Sequence, residues 1–255
     1  MKNSKLDLNQ IRDRLPRHVA IIMDGNRRWA RAKGLDILKG HDYVVDNTIE
    51  PIVDRCIELE IPYLTLWAFS TENWRRSARE VNGLMRIFRK VLNQKMEDLM
   101  KKEVRLKTIG DLSKFPKDIR ERANDWMEKS KDNKKITVIL ALNYGGRDEI
   151  VRAVKKVWED VSEQNKLRNS HLSPNEITNL ILSEDFFEKY LDTAGMPDPD
   201  LIIRTGGAQR TSGFMPWQSV YSELYFTETY MPDFTVDKFD EALIEFMRRE
   251  RRFGR

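Results

Sequence analysis

Residues 18–34 read His18-Val-Ala-Ile-Ile-Met-Asp-Gly-Asn-Arg-Arg-Trp-Ala-Arg-Ala-Lys-Gly34, an apolar run followed by an acid, a glycine, an amide and two arginines. The apolar part, Val19 to Met23, does not alternate with polar residues, which is typical of a strand buried on both faces of a parallel sheet. The carboxyl end of such a strand opens onto a ligand crevice. The residues that follow it are therefore the first candidates for a functional site.

The turn after this strand has the composition of a phosphate site. Gly25 lets the backbone approach a ligand, the free amides of the following helix attract an anion, and Arg27 and Arg28 add charged donors. A carboxylate beside a phosphate is repulsive unless a cation lies between them, so Asp24 indicates bridging Mg²⁺. The alternative is an ordinary Asp-Gly-Asn turn with solvated arginines.

Composition narrows the class of protein. The chain has 255 residues, with 45 Lys and Arg against 41 Asp and Glu, and this net charge of +4 gives no strong field that would draw nucleic acid. Its single cysteine, Cys56, excludes an internal disulfide and indicates a reducing compartment. The start is polar without the apolar core of a signal peptide, and no apolar run is long enough to span a bilayer. We expect a cytoplasmic protein, whose contact with a membrane would be peripheral.

Strands and helices alternate along the chain. We expect further strands at 62–69, 104–109, 136–142 and 200–203, and helices at 41–60, 81–102, 116–131, 147–161, 173–182 and 236–249. No linker divides them. The alternation predicts an α/β fold, a single domain with a mostly parallel central β-sheet flanked by α-helices, after a polar N-terminal extension over residues 1–16.

Polar clusters follow four of these strands and, in a parallel sheet, share one edge. They are Asp24-Gly-Asn-Arg-Arg28, Ser70-Thr-Glu-Asn-Trp74, Asn143-Tyr-Gly-Gly-Arg147 and Arg204-Thr-Gly-Gly207. Arg204, Arg210 and Ser212 surround a glycine-rich loop and predict a second anion site, so we expect two anionic ligands or one long one. The alternative is a surface loop with solvated arginines.

Three further features allow two interpretations. Ser70 to Glu72 suits either a ligand contact or an ordinary helix cap. Glu223 lies among apolar residues, where a free carboxylate is costly, so it needs a metal or an arginine partner. The apolar face of the 81–102 helix packs in the core or lines a site for a long apolar ligand. Glycine motifs for nucleotides, zinc spacings and Ser/His/Asp signatures are missing, which disfavours nucleotide kinases, dehydrogenases and hydrolases.

These motifs together resemble those of the cis-prenyltransferases, the family of the undecaprenyl diphosphate synthases. The resemblance covers nearly the whole chain and rests on spaced blocks in the same order: His18-Val-Ala-Ile-Ile-Met-Asp-Gly-Asn26, Ala68-Phe-Ser-Thr-Glu-Asn-Trp74, Asn143-Tyr-Gly-Gly-Arg147, Ile203-Arg-Thr-Gly-Gly207, Glu223-Leu-Tyr-Phe226 and Arg251-Arg-Phe-Gly254.

The resemblance implies a catalytic domain over residues 17–255 that elongates an allylic diphosphate, such as farnesyl diphosphate, with isopentenyl diphosphate. The new double bonds would be cis, the reaction Mg²⁺-dependent, the protein a homodimer, and the product a cis-polyprenyl diphosphate that serves as a lipid-carrier precursor. The rival interpretation is a non-catalytic partner subunit of such an enzyme. It is disfavoured because one chain carries Asp24, Arg28, Arg204, Arg210 and Glu223.

Site residues follow from the resemblance position by position. Asp24 and Asn73 would be catalytic, with Asn73 at the position proposed as proton acceptor. A neutral amide is a poor base, so diphosphate or water is the alternative acceptor. Asp24 and Glu223 would hold Mg²⁺, and Glu223 can reach across from a partner subunit. The allylic diphosphate would be bound by Gly25, Asn26, Arg27, Arg28 and His41, and isopentenyl diphosphate by Arg204, Arg210 and Ser212. The other substrate contacts would be Trp29, Ser70, Thr71, Glu72, Trp74, Arg76 and Thr211.

The chain departs from the family pattern at three positions. Arg27 stands where many bacterial members have glycine, Ile37 where many have a phosphate-binding arginine, and Gln209 where some have a histidine near the metal. We hypothesise that Arg27 restores the positive charge that Ile37 omits.

Overall fold

A parallel sheet forms the centre of the molecule. The computed structural model describes residues 12–168 and 183–249, and its strands are β1 (His18–Ile22), β2 (Tyr63–Ser70), β3 (Val104–Ile109), β4 (Ile136–Tyr144), β5 (Leu201–Arg204) and β6 (Glu223–Phe226). They lie in the order β3-β4-β2-β1-β5-β6, and every neighbouring pair is parallel. The predicted single-domain α/β fold is confirmed, with a described sheet that is parallel throughout.

Helices connect the strands. They are α1 (Asn26–Ala32), α2 (Leu38–Tyr43), α3 (Ile49–Glu58), α4 (Ala78–Lys90), α5 (Met96–Lys101), α6 (Lys117–Lys129), α7 (Gly146–Arg168), α8 (Glu184–Glu188) and α9 (Val236–Arg248). A π-helical turn, Val44–Thr48, joins α2 to α3, and a second one, Val91–Lys95, joins α4 to α5. Two continuous helices result, the 38–58 helix and the 78–101 helix.

Most predicted elements are present. Sequence periodicity missed β6, α8 and the two π-helical turns. It also began the 38–58 and 78–101 helices three residues late and ended α7 at residue 161 instead of Arg168. The predicted helix at 173–182 lies outside the described residues, as do most of the 1–16 extension and the block that ends at Gly254. No helix in the described part of the chain is long and apolar enough to cross a membrane.

Both faces of the central strand are covered. All five residues of β1 are buried, and Val19 and Ile21 pack with Cys56 of α3 and Phe239 of α9. Because successive side chains of a strand point to opposite faces, Ala20 and Ile22 belong to a separate cluster on the other face. The non-alternating run that opened the sequence is therefore a strand buried on both sides, as predicted.

Candidate active site

The carboxyl ends of β1 and β5 meet where the connections leave the sheet in opposite directions. The chain passes from β1 to β2 on one side and from β5 to β6 on the other. Ile22 is in register with Arg204, so the turn after β1 and the loop after β5 lie side by side. A crevice forms at such a point in parallel sheets, and here it is lined by the polar clusters.

Asp24 is the acidic centre of this crevice. Its Oδ2 accepts a hydrogen bond from Arg204 Nη2 at 3.0 Å, its Oδ1 accepts one from Gly25 N at 2.6 Å, and Arg28 Nη2 lies 3.2 Å from Oδ1. Partial burial alone would raise the pKa of Asp24, but the Arg204 and Gly25 hydrogen bonds and the two guanidinium charges outweigh it and lower the pKa. Asp24 is therefore ionised at neutral pH.

Two glycines allow the turn and the loop to approach each other. Gly25 has φ +99°, and a Cβ there would lie 2.6 Å from Tyr230 Cδ1. Gly206 has φ +83°, and its Cβ would lie 2.7 Å from Arg28 Nη2 and 3.1 Å from Gly25 N. Both positions combine a left-handed backbone with a close contact, which only glycine satisfies without strain.

A basic cavity of about 330 Å³ adjoins Asp24 at the start of α1. It is lined by residues 23–26, by His41 and by four arginines, Arg27, Arg28, Arg31 and Arg76. The free backbone amides at a helix start and these guanidiniums attract anions. The cavity thus has the charge and the donors for a phosphate group.

A buried carboxylate holds two of these arginines. Glu80 is only 4% exposed, and its Oε1 accepts a hydrogen bond from Arg76 Nη1 at 2.8 Å and lies 3.6 Å from Arg27 Nε. His41 lies beside both arginines, and its Nε2 is buried without a hydrogen-bond partner among the described residues. Burial, and then the charges of Arg76 and Arg27, lower the pKa of His41 to about 4. A neutral imidazole therefore faces the cavity at neutral pH.

Arg204 links Asp24 to the loop after β5. This guanidinium is buried, and besides Asp24 it donates from Nη1 to Ser212 Oγ at 2.8 Å and to the Arg210 carbonyl oxygen. Ser212 has φ +54°, so the loop is held in a left-handed conformation where it meets Arg204. One arginine thus contacts both halves of the crevice.

A second cavity, of about 460 Å³, extends from Asp24 between the sheet and two helices. Its polar end carries Asp24, Asn26, His41, Ser70, Glu72, Asn73, Arg76, Arg204 and Ser212. The rest is apolar, with walls from Val44, Val45 and Ile49 on the 38–58 helix and Leu84, Ile87, Phe88 and Val91 on the 78–101 helix. The arrangement suits a ligand with an anionic head and a long apolar tail.

Comparisons with known proteins agree with this geometry. The family model described as putative undecaprenyl diphosphate synthase matches residues 22–254. The chain belongs to this prenyltransferase family. It is 46% identical to an isoprenyl transferase of Clostridium perfringens over 244 residues, which are 96% of this chain and 92% of the relative.

Two further relatives extend the comparison. A ditrans,polycis-undecaprenyl-diphosphate synthase of Micrococcus luteus, named as specific for (2E,6E)-farnesyl diphosphate, is 41% identical over 254 residues, or 100% of this chain and 96% of that one. The crystal structure of lavandulyl diphosphate synthase from Lavandula x intermedia, in complex with dimethylallyl diphosphate, superposes with a TM-score of 0.86 at 36% identity. It covers 95% of this chain and 100% of that chain.

In this prenyltransferase most of the predicted site residues lie together. Those on the two cavities are Asp24, Gly25, Asn26, Arg27, Arg28, His41, Ser70, Glu72, Asn73, Arg76, Arg204 and Ser212. Ser70 and Asn73 also form the predicted helix cap, because Asn73 Oδ1 accepts a hydrogen bond from Ser70 N at 3.2 Å. The two interpretations of this segment are therefore compatible.

Other predicted residues do not line the described cavities. Trp29 donates from Nε1 to Asp233 Oδ1 at 2.8 Å, and Trp74 donates from Nε1 to Asn143 Oδ1 at 2.8 Å, so both indoles are held by protein partners. Thr71, Arg210 and Thr211 border the crevice in sequence without lining either cavity, and the side chain of Arg210 is exposed.

Glu223 lies away from Asp24 within the chain. It begins β6 in register with Leu201, roughly 10 Å along the strand from the Arg204 end. Its Oε2 accepts a hydrogen bond from Arg249 Nη1 at 2.8 Å. Of the two partners expected for Glu223, a metal or an arginine, the chain itself supplies the arginine. A metal role for Glu223 would therefore require the site of a second chain.

Sequence reasoning missed Arg31, which lines the basic cavity, and Glu80, which pairs with two of the cavity's arginines. Arg31 follows Arg27 by one helical turn, so the spacing of α1 was a usable signal. Glu80 was not singled out because it is the third residue of α4, where its backbone N–H donates to Oγ of the N-cap residue Ser77 and an acidic side chain is ordinary.

Proposed function

We propose that this prenyltransferase condenses isopentenyl diphosphate with an allylic diphosphate, farnesyl diphosphate in particular, to give a cis-polyprenyl diphosphate that serves as a lipid-carrier precursor. The observation that supports this most is the junction of a basic cavity and a mostly apolar cavity at Asp24. An allylic diphosphate has the matching parts, an anionic head and an apolar tail. The second diphosphate is expected beside Arg204, Ser212 and the exposed Arg210.

Magnesium fits the donor set at Asp24. Mg²⁺ is commonly held by one or two carboxylates together with substrate phosphates, and Asp24 offers one ionised carboxylate beside the basic cavity. No group of three or more His, Cys, Asp or Glu side chains that would hold a metal alone is found in residues 12–168 and 183–249. When bound, the ion would neutralise charge on the diphosphate and help it to leave.

The chain's own residues supply the remaining catalysis. In the reaction the allylic C–O bond breaks, a new carbon–carbon bond forms to isopentenyl diphosphate, and one proton is lost. Arg76 is held by Glu80, Arg27 and Arg28 lie beside it on the same cavity, and the three guanidiniums stabilise the departing diphosphate. The Oδ1 of Asn73 is already engaged by Ser70, and a neutral amide is a poor base, so Asn73 orients the substrate while the diphosphate accepts the proton.

A homodimer is part of the proposal. Val151, Val154 and Trp158 lie on one face of α7 and are 54%, 54% and 68% exposed, and Val220 and Tyr221, just before Glu223, are about as exposed. Contiguous apolar residues at helical spacing are typical of an interface. A Trp158→Glu variant is expected to run as a monomer in size-exclusion chromatography, whereas an unchanged elution volume would contradict this interface.

Purified protein tests the function directly. With Mg²⁺, farnesyl diphosphate and labelled isopentenyl diphosphate, the chain alone should form extended products, and a non-catalytic subunit would form none. Asp24→Ala should fold normally but lose at least about 100-fold in turnover, on the scale of one lost electrostatic contact in a transition state. Exposed Lys131→Ala, remote from the crevice, is the control. Near-normal turnover of Asp24→Ala would refute the role of Asp24.

A further inference from the structure

The outer wall of the apolar cavity is a seam between two helices. The 38–58 and 78–101 helices meet tightly at the polar end, where a Cβ on Gly83 would lie only 2.2 Å from Leu38 Cδ1. Further along, the cavity-facing side of the seam consists of Val45, Ile49 and Val91. A growing apolar ligand therefore presses on this seam from inside.

On the solvent side of the seam, ion pairs connect the two helices. The 38–58 helix carries an acidic row at a spacing of four residues, Asp42, Asp46, Glu50 and Asp54. Lys90 Nζ reaches across to Asp46 Oδ2 at 2.6 Å, and it lies 3.8 Å from Asp42 Oδ1. Lys102 Nζ, at the end of the other helix, contacts Glu50 Oε1 at 2.8 Å and Asp54 Oδ1 at 2.6 Å.

These pairs are weak enough to open. The side chains of Lys90 and Lys102 are 31% and 30% exposed, and those of their partners are exposed to a similar or greater degree. Ion pairs of this kind contribute little and are screened by salt. Each helix also contains a π-helical turn at the level of the cavity, Val44–Thr48 and Val91–Lys95, and such turns are frequent at functional sites.

The cavity is too small for a long product. An apolar chain packed at protein density occupies about 25 Å³ per carbon atom, so a 15-carbon tail fills about 375 Å³ and each five-carbon unit adds about 125 Å³. The cavity holds about 460 Å³ and includes the polar end. A tail extended by more than about one five-carbon unit exceeds this volume, so a longer product requires the walls to part.

We propose that Lys90 and Lys102 set the product length, because the growing tail leaves the cavity between the 38–58 and 78–101 helices and the ion pairs determine how readily these helices part. The inference rests on the proposed function and assigns a specificity role to residues outside the chemistry of the crevice. It predicts longer products when the ion pairs of Lys90 and Lys102 are weakened, and an unchanged rate of the first condensation.

The test compares products of the full-length protein with farnesyl diphosphate, labelled isopentenyl diphosphate and Mg²⁺, separated by reversed-phase chromatography. Lys90→Met with Lys102→Met removes both charges and keeps the apolar stems. The main product should lengthen by at least about one five-carbon unit, while the single-turnover rate of the first addition stays unchanged. Lys101→Met is the matched control, because Lys101 is 75% exposed and pairs with Asp98 of its own helix.

Two further measurements complete the test. Lys90→Glu alone should lengthen the products, and adding Asp46→Lys, which reverses the same pair, should restore most of the original distribution. Raising salt from about 0.05 M to about 0.5 M should lengthen the products of the unmodified protein but not those of the double variant. If products form and their lengths respond neither to the lysine substitutions nor to salt, this inference is wrong while the proposed function stands. If the unmodified protein incorporates no isopentenyl diphosphate, the proposed function fails and the inference fails with it.

Discussion

Acidification is expected to destabilise this protein through His18, the first residue of β1. The ring is completely buried, Nδ1 lies 2.8 Å from the Pro197 carbonyl oxygen, and Nε2 lies 2.7 Å from Thr65 Oγ1. Burial lowers the pKa of His18 to about 4, although the bond to Pro197 and the charge of Asp200 both raise it. The folded protein therefore keeps this imidazole neutral.

The sign and size of the effect follow from proton linkage. The pKa of a histidine in an unfolded chain is about 6.5. Below that pH, His18 therefore binds a proton in the unfolded chain but not in the folded protein. The His18 contribution is complete above about pH 6.5 and is lost as the pH falls towards 4. A shift of about 2.5 units at about 1.36 kcal/mol per unit gives about 3.4 kcal/mol in all, of which about 2 kcal/mol is lost between about pH 7.5 and pH 5.

Urea unfolding at the two pH values measures this loss. Other groups also titrate, so the informative quantity is the difference between the unmodified protein and His18→Asn, whose amide can still donate to Pro197 and does not titrate. The variant should lose about 2 kcal/mol less stability than the unmodified protein over the same pH interval, at one protein concentration and with equal m-values. Equal losses in the two proteins would refute the assignment of a neutral buried His18.

Three substitutions in the crevice give separate expectations. Arg27→Gly should raise the KM for the allylic diphosphate several-fold, and an unchanged KM would refute the idea that Arg27 compensates for Ile37. Arg210→Ala should raise the KM for isopentenyl diphosphate by about tenfold, on the scale of one charge-assisted hydrogen bond; an effect on the allylic substrate alone would reverse the assignment of the two halves. Gly206→Ala should lower kcat/KM by at least about tenfold, because its Cβ displaces Arg28. The added backbone strain of about 1–2 kcal/mol lowers the free energy of unfolding. Full activity of that variant would show that the close approach is dispensable.

The central strands could be predicted because burial on both faces leaves a clear pattern. Val19 to Met23 is apolar without alternation, and such a run has few alternatives in an α/β chain. The strand β6 lacks that signal, since Glu223-Leu-Tyr-Phe226 is short, half-buried and at the edge of the sheet. The π-helical turns were not predicted because one widened turn barely disturbs the spacing of apolar residues.

The candidate site was predictable as a group of residues but not as a set of contacts. Polar clusters after parallel strands converge by geometry alone, and Asp24 and Arg204 do meet. Motif positions cannot show which polar atoms are already used inside the protein. The indoles of Trp29 and Trp74 were expected to contact substrate, yet their N–H groups are bound to Asp233 and Asn143.

The contacts of Arg204 have a consequence for the order of events in the crevice. One buried guanidinium contacts Asp24 on the side expected to bind the allylic diphosphate and Ser212 on the side expected to bind isopentenyl diphosphate. An anion that draws Arg204 towards itself on one side must weaken its contact on the other. Since coupling between two binding sites is reciprocal, each diphosphate should then change the affinity for the other by the same factor. The two basic regions are better understood as one coupled site than as two independent pockets.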